Sequence, residues 1–198
     1  MKIRITPGAT LLWLVMATEH DLLFAATTLA ATVHEAGHLL AAKVTGIPIR
    51  AMEIDLMGAK LYPAKAIPSY FAEALLSGAG PLFSLLLSLP AIAMGGTFGA
   101  LLLNATLSFA LFNLLPIKGF DGGRLLSALL ALRYRQSTVD TVLFATTYLS
   151  LLLLFSLSAC MLLRFGEDAT LAVLSASLFA HLFLSLEPPY KKRGFERI

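Results

Sequence analysis

Long apolar runs with almost no charge leave this chain few folds to choose from. They are Leu22 to Val44, Phe71 to Met94, Ala100 to Leu115, Val139 to Leu163 and Thr170 to Leu186. Most reach or approach the ~20 residues that an α-helix needs to cross the hydrocarbon core of a bilayer. A shorter run, Ala9 to Thr18, ends at Glu19-His20-Asp21 and is expected to form a tilted or partly embedded first span. Hydrophobic residues make up 58% of the 198 residues and charged residues only 14%, too little polar surface for a soluble domain of this length. The expectation is an all-α, polytopic membrane protein with about six transmembrane helices.

The N-terminus has the basic start and apolar core of a secretory signal peptide. Acidic residues, and no small-x-small cleavage site, follow that core, so a retained span is expected. Cys160 is the only cysteine, which excludes an internal disulfide and a cysteine-based metal site. With the N-terminus in the cytoplasm, cytoplasmic segments hold Lys2, Arg4, Lys43, Arg50, Lys60, Lys65, Arg133, Arg135, Lys191, Lys192, Arg193 and Arg197. The opposite face then holds Glu19, Asp21, Arg164, Glu167 and Asp168. This bias follows the positive-inside rule and predicts that both termini are cytoplasmic. The expected partner of the surface is the lipid bilayer, and nothing points to nucleic acid. No repeat or low-complexity segment is visible, so residues 1–190 are expected to form one domain, with 191–198 a short basic cytoplasmic tail.

Two segments break the helical pattern. IPIRAMEIDLMGAKLYPAKAIPSY alternates, is rich in β-branched and aromatic residues, and has prolines beyond a Met57-Gly58 turn. It predicts a small β-hairpin lying against the membrane. Its segments Met52 to Leu56 and Ala59 to Tyr62 offer edges for an extended partner strand; alternatively the hairpin only plugs the cytoplasmic mouth of the bundle. In NLLPIKGFDGGRLL, Pro116, Gly119, Gly122 and Gly123 interrupt an apolar run at membrane depth. Irregular backbone there is tolerated only when buried in protein or lining a wet cavity.

Within the second apolar run lies TVHEAGHLL. His34 and His38 are four residues apart and so share a helix face, a spacing that lets two imidazoles hold one Zn²⁺. Glu35 lies beside them, where a carboxylate can take a proton from a water that attacks a carbonyl. Ionisable groups near the bilayer centre cost roughly 2.5–3.5 kcal/mol each, so these three need a reason to be there. A proton relay or a polar face packed inside the bundle is the alternative. A catalytic zinc needs a third protein ligand and an open position. His20 and His181 are candidates near span ends, with no motif around them. Asp121 is the expected third ligand: it lies in the broken segment, somewhat past the middle of an inward-running fourth span and at the depth of His34.

HEAGH, then SGAGP (77 to 81), then NLLPIKGFDGG (113 to 123) resemble, in order and register, the motifs of the site-2 protease family of intramembrane zinc metalloproteases. The likeness covers nearly the whole chain. It is greatest to the stage IV sporulation branch, which processes a membrane-tethered pro-sigma factor, through the short first span, IxIRxMEIDLMGA, NLLPIKGFDGG and SLFAHLFLSLEPPYKKRGFER (177 to 197). The resemblance implies one zinc per chain, with His34, His38 and Asp121 as its ligands and Glu35 as general base and acid. Asn113 and Pro116 match the family's Asn-Pro pair; the Asn113 amide either orients substrate and stabilises an oxyanion or caps the broken helix. Gly78, Gly80 and Pro81 match a motif read as allowing close helix packing. Lys118 and Arg124 flank Asp121 and either balance its charge, grip substrate or snorkel to the interface.

By the same resemblance the substrate is a membrane-tethered protein with an unwound segment, and the location is a bacterial cytoplasmic membrane. A pro-sigma factor is the expected substrate, with anti-sigma factors or remnant signal peptides as alternatives, and inhibitory membrane proteins as regulators. A non-enzymatic scaffold is the competing class. The chain carries neither the PDZ domain of some branches nor the CBS domain often found in the sporulation branch.

Overall fold

The computed structural model describes residues 2–19, 21–55 and 58–165. His20, His181, the run Thr170 to Leu186 and the basic tail lie outside the described residues. The elements are β1 (Lys2–Ile5), α1 (Pro7–Glu19), α2 (Asp21–Val44), β2 (Ile49–Asp55), β3 (Gly58–Pro63), α3 (Tyr70–Met94), α4 (Gly96–Leu114), α5 (Asp121–Ala131) and α6 (Gln136–Phe165). Residues 1–146 form one compact unit and 147–198 another. The first unit carries everything that follows.

Three helices are long and apolar enough to cross a membrane: α3, α4, and α6 over Gln136–Cys160. On α3, Leu82, Leu85, Leu86, Leu89 and Ile92 are exposed, a surface that water would not tolerate and lipid would. Hydroxyls of the helices are satisfied locally: Thr27, Thr32, Ser88 and Thr106 donate to carbonyls three or four residues back. These are the features of a membrane protein. Six spans are not distinguished, however. α1 has 13 residues, about 20 Å of helix, which is short of the ~30 Å hydrocarbon core. α2 has the length, with 24 residues, but its charged residues and two histidines make it less apolar than the other three.

α2 forms the axis of the first unit. Its buried residues Ala26, Ala30, His34, His38 and Ala42 recur every four positions, with Gly37 beside them. Near its start Ala26 and Ala30 pack with Ala91 of α3 and Leu102 of α4. Near its end Ala42 packs with Ile47, Ala72 and Leu76. Small residues on this stripe let the helices approach closely where no hydrophobic effect drives them together in lipid. The histidines sit between the two apolar clusters. α3 begins cleanly: Ser69, in extended backbone, accepts a hydrogen bond from the Ala72 N–H at 3.1 Å.

The predicted two-stranded hairpin is a three-stranded sheet of order β1-β2-β3. β1, from the N-terminus, pairs in parallel with β2 from Lys2–Ala51 to Ile5–Ile54. β2 is therefore central. Of the two segments offered as an edge, Met52 to Leu56 is paired on both sides over Met52 to Ile54, whereas Ala59 to Tyr62 lies on the outer strand of the sheet. Four residues with alternating charge give little sequence signal for a strand, and a parallel pairing across 40-odd residues leaves no turn motif to betray it.

Candidate metal centre

His34 and His38 are buried, and their Nε2 atoms are 3.2 Å apart. Asp121 Oδ2 lies 3.2 Å from His34 Nε2 and 3.0 Å from His38 Nε2. These three residues form a group able to hold a metal ion.

Local chemistry explains how a residue 83 positions beyond His38 arrives there. α4 ends because Leu115 precedes Pro116 and is extended, with φ −57° and ψ 135°. Two tight turns follow, with Ile117 N–H donating to Leu115 C=O and Phe120 N–H to Ile117 C=O. α5 then starts at Asp121 itself. A Cβ on Gly122 would overlap the Leu114 carbonyl oxygen, and one on Gly123 the Ile117 carbonyl oxygen. Only glycines let the start of α5 fold back onto the end of α4. The expectation that Asp121 lies within the fourth span is therefore corrected: it is the first residue of a separate helix, broken off by Pro116 and turned inward.

The donor set fits zinc. Two nitrogens and an oxygen on a tetrahedral ion with bonds of about 2.0–2.1 Å stand roughly 3.3 Å apart, close to the separations seen. The outer nitrogens are also engaged. His38 Nδ1 donates to the Leu76 carbonyl at 2.7 Å, and His34 Nδ1 pairs with Ser84 Oγ at 2.9 Å. A carbonyl can only accept, so His38 carries a proton on Nδ1, and its Nε2 faces Asp121 Oδ2 at 3.0 Å. Two imidazole nitrogens and a carboxylate oxygen this close need a cation or a proton among them.

Glu35 is the fourth participant. Its Oε2 is buried and, among the described residues, has no hydrogen-bond partner. The Ala59 amide of β3 is directed at this carboxylate. The sheet therefore reaches the site.

Asn113 lies in the last turn of α4, and its Nδ2 donates to the Phe109 carbonyl at 2.9 Å, a contact within its own helix. The Phe109 ring lies 5.7 Å from that of His34, so this turn helps wall the site. Pro116 is partly buried in the turn, and Lys118 and Arg124 are exposed. Sequence reasoning misses Ser84, Phe109 and the Leu76 carbonyl. A serine recurring at Ser77, Ser84 and Ser88 on an apolar helix is the available signal for an inward stripe; a backbone carbonyl leaves none.

No protein-family model matches the chain. A comparison with curated proteins gives no match either. Among solved structures, the chain is similar to the site-2 protease from Methanocaldococcus jannaschii, with a TM-score of 0.62 and 22% identity over 98% of this chain and 94% of that one. The fold is that of a site-2 protease. On this fold, HEAGH lies on α2 and the aspartate opens α5, two elements that only the turns at 115–120 bring together.

Proposed function

We propose that the chain is an intramembrane zinc metalloendopeptidase, with His34, His38 and Asp121 holding one Zn²⁺ and Glu35 acting as general base and acid. The observation that carries this is the convergence of three donor atoms at 3.0–3.2 Å beside the Glu35 carboxylate, whose buried Oε2 has no partner among the described residues, on this fold. Zn²⁺ held there supplies a Lewis acid that polarises a peptide carbonyl and acidifies water. Glu35 takes the proton of the attacking water and delivers it to the leaving amine.

A substrate helix protects its peptide bonds through its own hydrogen bonds and must be unwound first. The outer edge of β3, at Leu61, is suited to hold it extended. Thr6 N–H donates to the Ile54 carbonyl, so Ile54 turns its polar groups towards β1. Its partner Ala59 then turns N–H and C=O away from β2, the N–H towards Glu35, and Leu61 turns its own outward two residues on. Leu61→Pro deletes an outward N–H without breaking the ladder to β2. It should lower cleavage by roughly three- to tenfold, the worth of one backbone hydrogen bond, with zinc content unchanged. Equal loss of zinc would instead make the sheet a structural plug.

The substrate we propose is a membrane-tethered pro-sigma factor, favoured by the resemblance in IxIRxMEIDLMGA and NLLPIKGFDGG, in a bacterial cytoplasmic membrane and with six spans and cytoplasmic termini. Co-expression with single-span pro-sigma, anti-sigma and remnant signal-peptide precursors tests this. The purified chain should contain one zinc, lose cleavage on chelation and regain it with added Zn²⁺. Cleavage that survives full removal of metal would refute the proposal.

A further inference from the structure

We infer that α3 is the template of the metal site: Leu76, Gly80 and Ser84 set the orientation and tautomer of both histidines, with Ser84 the positioning residue for His34. This rests on the metal-site reading above and extends it to a helix that supplies no ligand. The three residues are spaced by four, so they form one line along α3. Their contacts run in the opposite order to the histidines on α2. The Leu76 carbonyl meets His38 Nδ1, and Ser84, fully buried, meets His34 Nδ1.

Gly80 lies between them. A Cβ there would overlap His38 Nε2, the atom that faces His34 and Asp121, and would come within 2.6 Å of Cε1 and 2.7 Å of Cδ2. The Nε2 end of the His38 ring thus lies against the bare backbone of Gly80. Gly78, in the same SGAGP motif, is different: its Cβ would make an ordinary contact with Leu125 at 3.8 Å. Close helix packing is therefore not the whole reason for the motif, because one of its glycines makes room for a ligand's ring.

Ser84 is set apart from the hydroxyls around it. Ser88 and Thr106 donate to carbonyls of their own helices. Ser84 Oγ instead reaches across to α2 and meets His34 Nδ1 at 2.9 Å, where it is placed to accept the proton that a histidine ligating through Nε2 carries on Nδ1. Without that acceptor in an apolar interior, His34 gains nothing from holding its proton on the outer nitrogen. The proton then competes for Nε2, the position the metal needs. Partners of this kind typically govern metal affinity by roughly 10–100-fold.

The test is Zn²⁺ affinity of the purified full-length protein in detergent, by competition with a chromophoric chelator, together with the visible spectrum of the Co²⁺-loaded form. Thermal unfolding of each metal-free variant checks that it is folded. Ser84→Ala should weaken Zn²⁺ binding roughly 10–100-fold and shift the Co²⁺ bands, whereas Ser88→Ala, which loses a buried hydroxyl one turn away, should do neither. Gly80→Ala should abolish binding, and Gly78→Ala should not. Wild-type affinity and spectrum in Ser84→Ala, or equal weakening in Ser84→Ala and Ser88→Ala, would overturn the inference while leaving the metalloprotease reading intact. A wild-type protein that binds no Zn²⁺ would sink both.

Discussion

Glu35→Gln is expected to lower cleavage by roughly 10²–10⁴-fold, the usual contribution of a positioned general base, while one zinc per chain stays bound. Glutamine keeps the size and shape of the side chain, so the packing of α2 is preserved, but it cannot take up a proton. Glu35 is also not one of the three converging donors, so its loss should leave the metal site intact. Comparing cleavage and zinc content of the two proteins in the same membranes separates the competing classes. A scaffold would retain its function in the variant, and a proton relay would work without zinc. If zinc disappears together with activity, Glu35 holds the site together and the assignment as base is wrong.

The second large effect is expected at Asp121. Asp121→Ala should weaken Zn²⁺ binding by more than the roughly 10–100-fold typical of outer partners, because it removes a direct donor and its charge. Chelator competition measures this directly. Gly122→Val should produce a comparable loss without touching any donor. Its side chain would collide with the Leu114 carbonyl oxygen and push the start of α5, and Asp121 with it, away from α2. If Gly122→Val binds zinc like the wild type, α5 does not need to fold back onto α4 for Asp121 to reach the histidines.

Much of the site is legible in the order of the amino acids. HEAGH is short-range information: helical geometry alone places His34 and His38 on one face with Glu35 next to it. NLLPIKGFDGG is legible as a break, because Pro116 cannot continue a helix and the glycines mark close backbone approaches. Where the break delivers Asp121 is not legible. A continuous inward fourth span puts the residue at a plausible depth, yet it reaches the histidines from the start of α5. The hairpin is legible through its alternation, but not the third strand, whose partner is far away in sequence. That strand decides which edge remains open to an extended chain.

The residues alone determined the solvent and the chemistry. Runs of apolar residues demand lipid because their backbone groups must be bonded internally, and two imidazoles with carboxylates in such a setting demand a cation or a proton. Local pattern carries that information, since it depends only on which side chains are present and on helical spacing. Tertiary structure alone decided the route by which Asp121 meets the histidines, the outer position of β3 and the contacts of α3 with both rings. Those depend on which helix passes within 3 Å of which ring, a question of packing between residues 38 to 87 positions apart. For TVHEAGHLL, the sequence supplied two of the donors, and the bare face of α3 with the turned start of α5 completes the site.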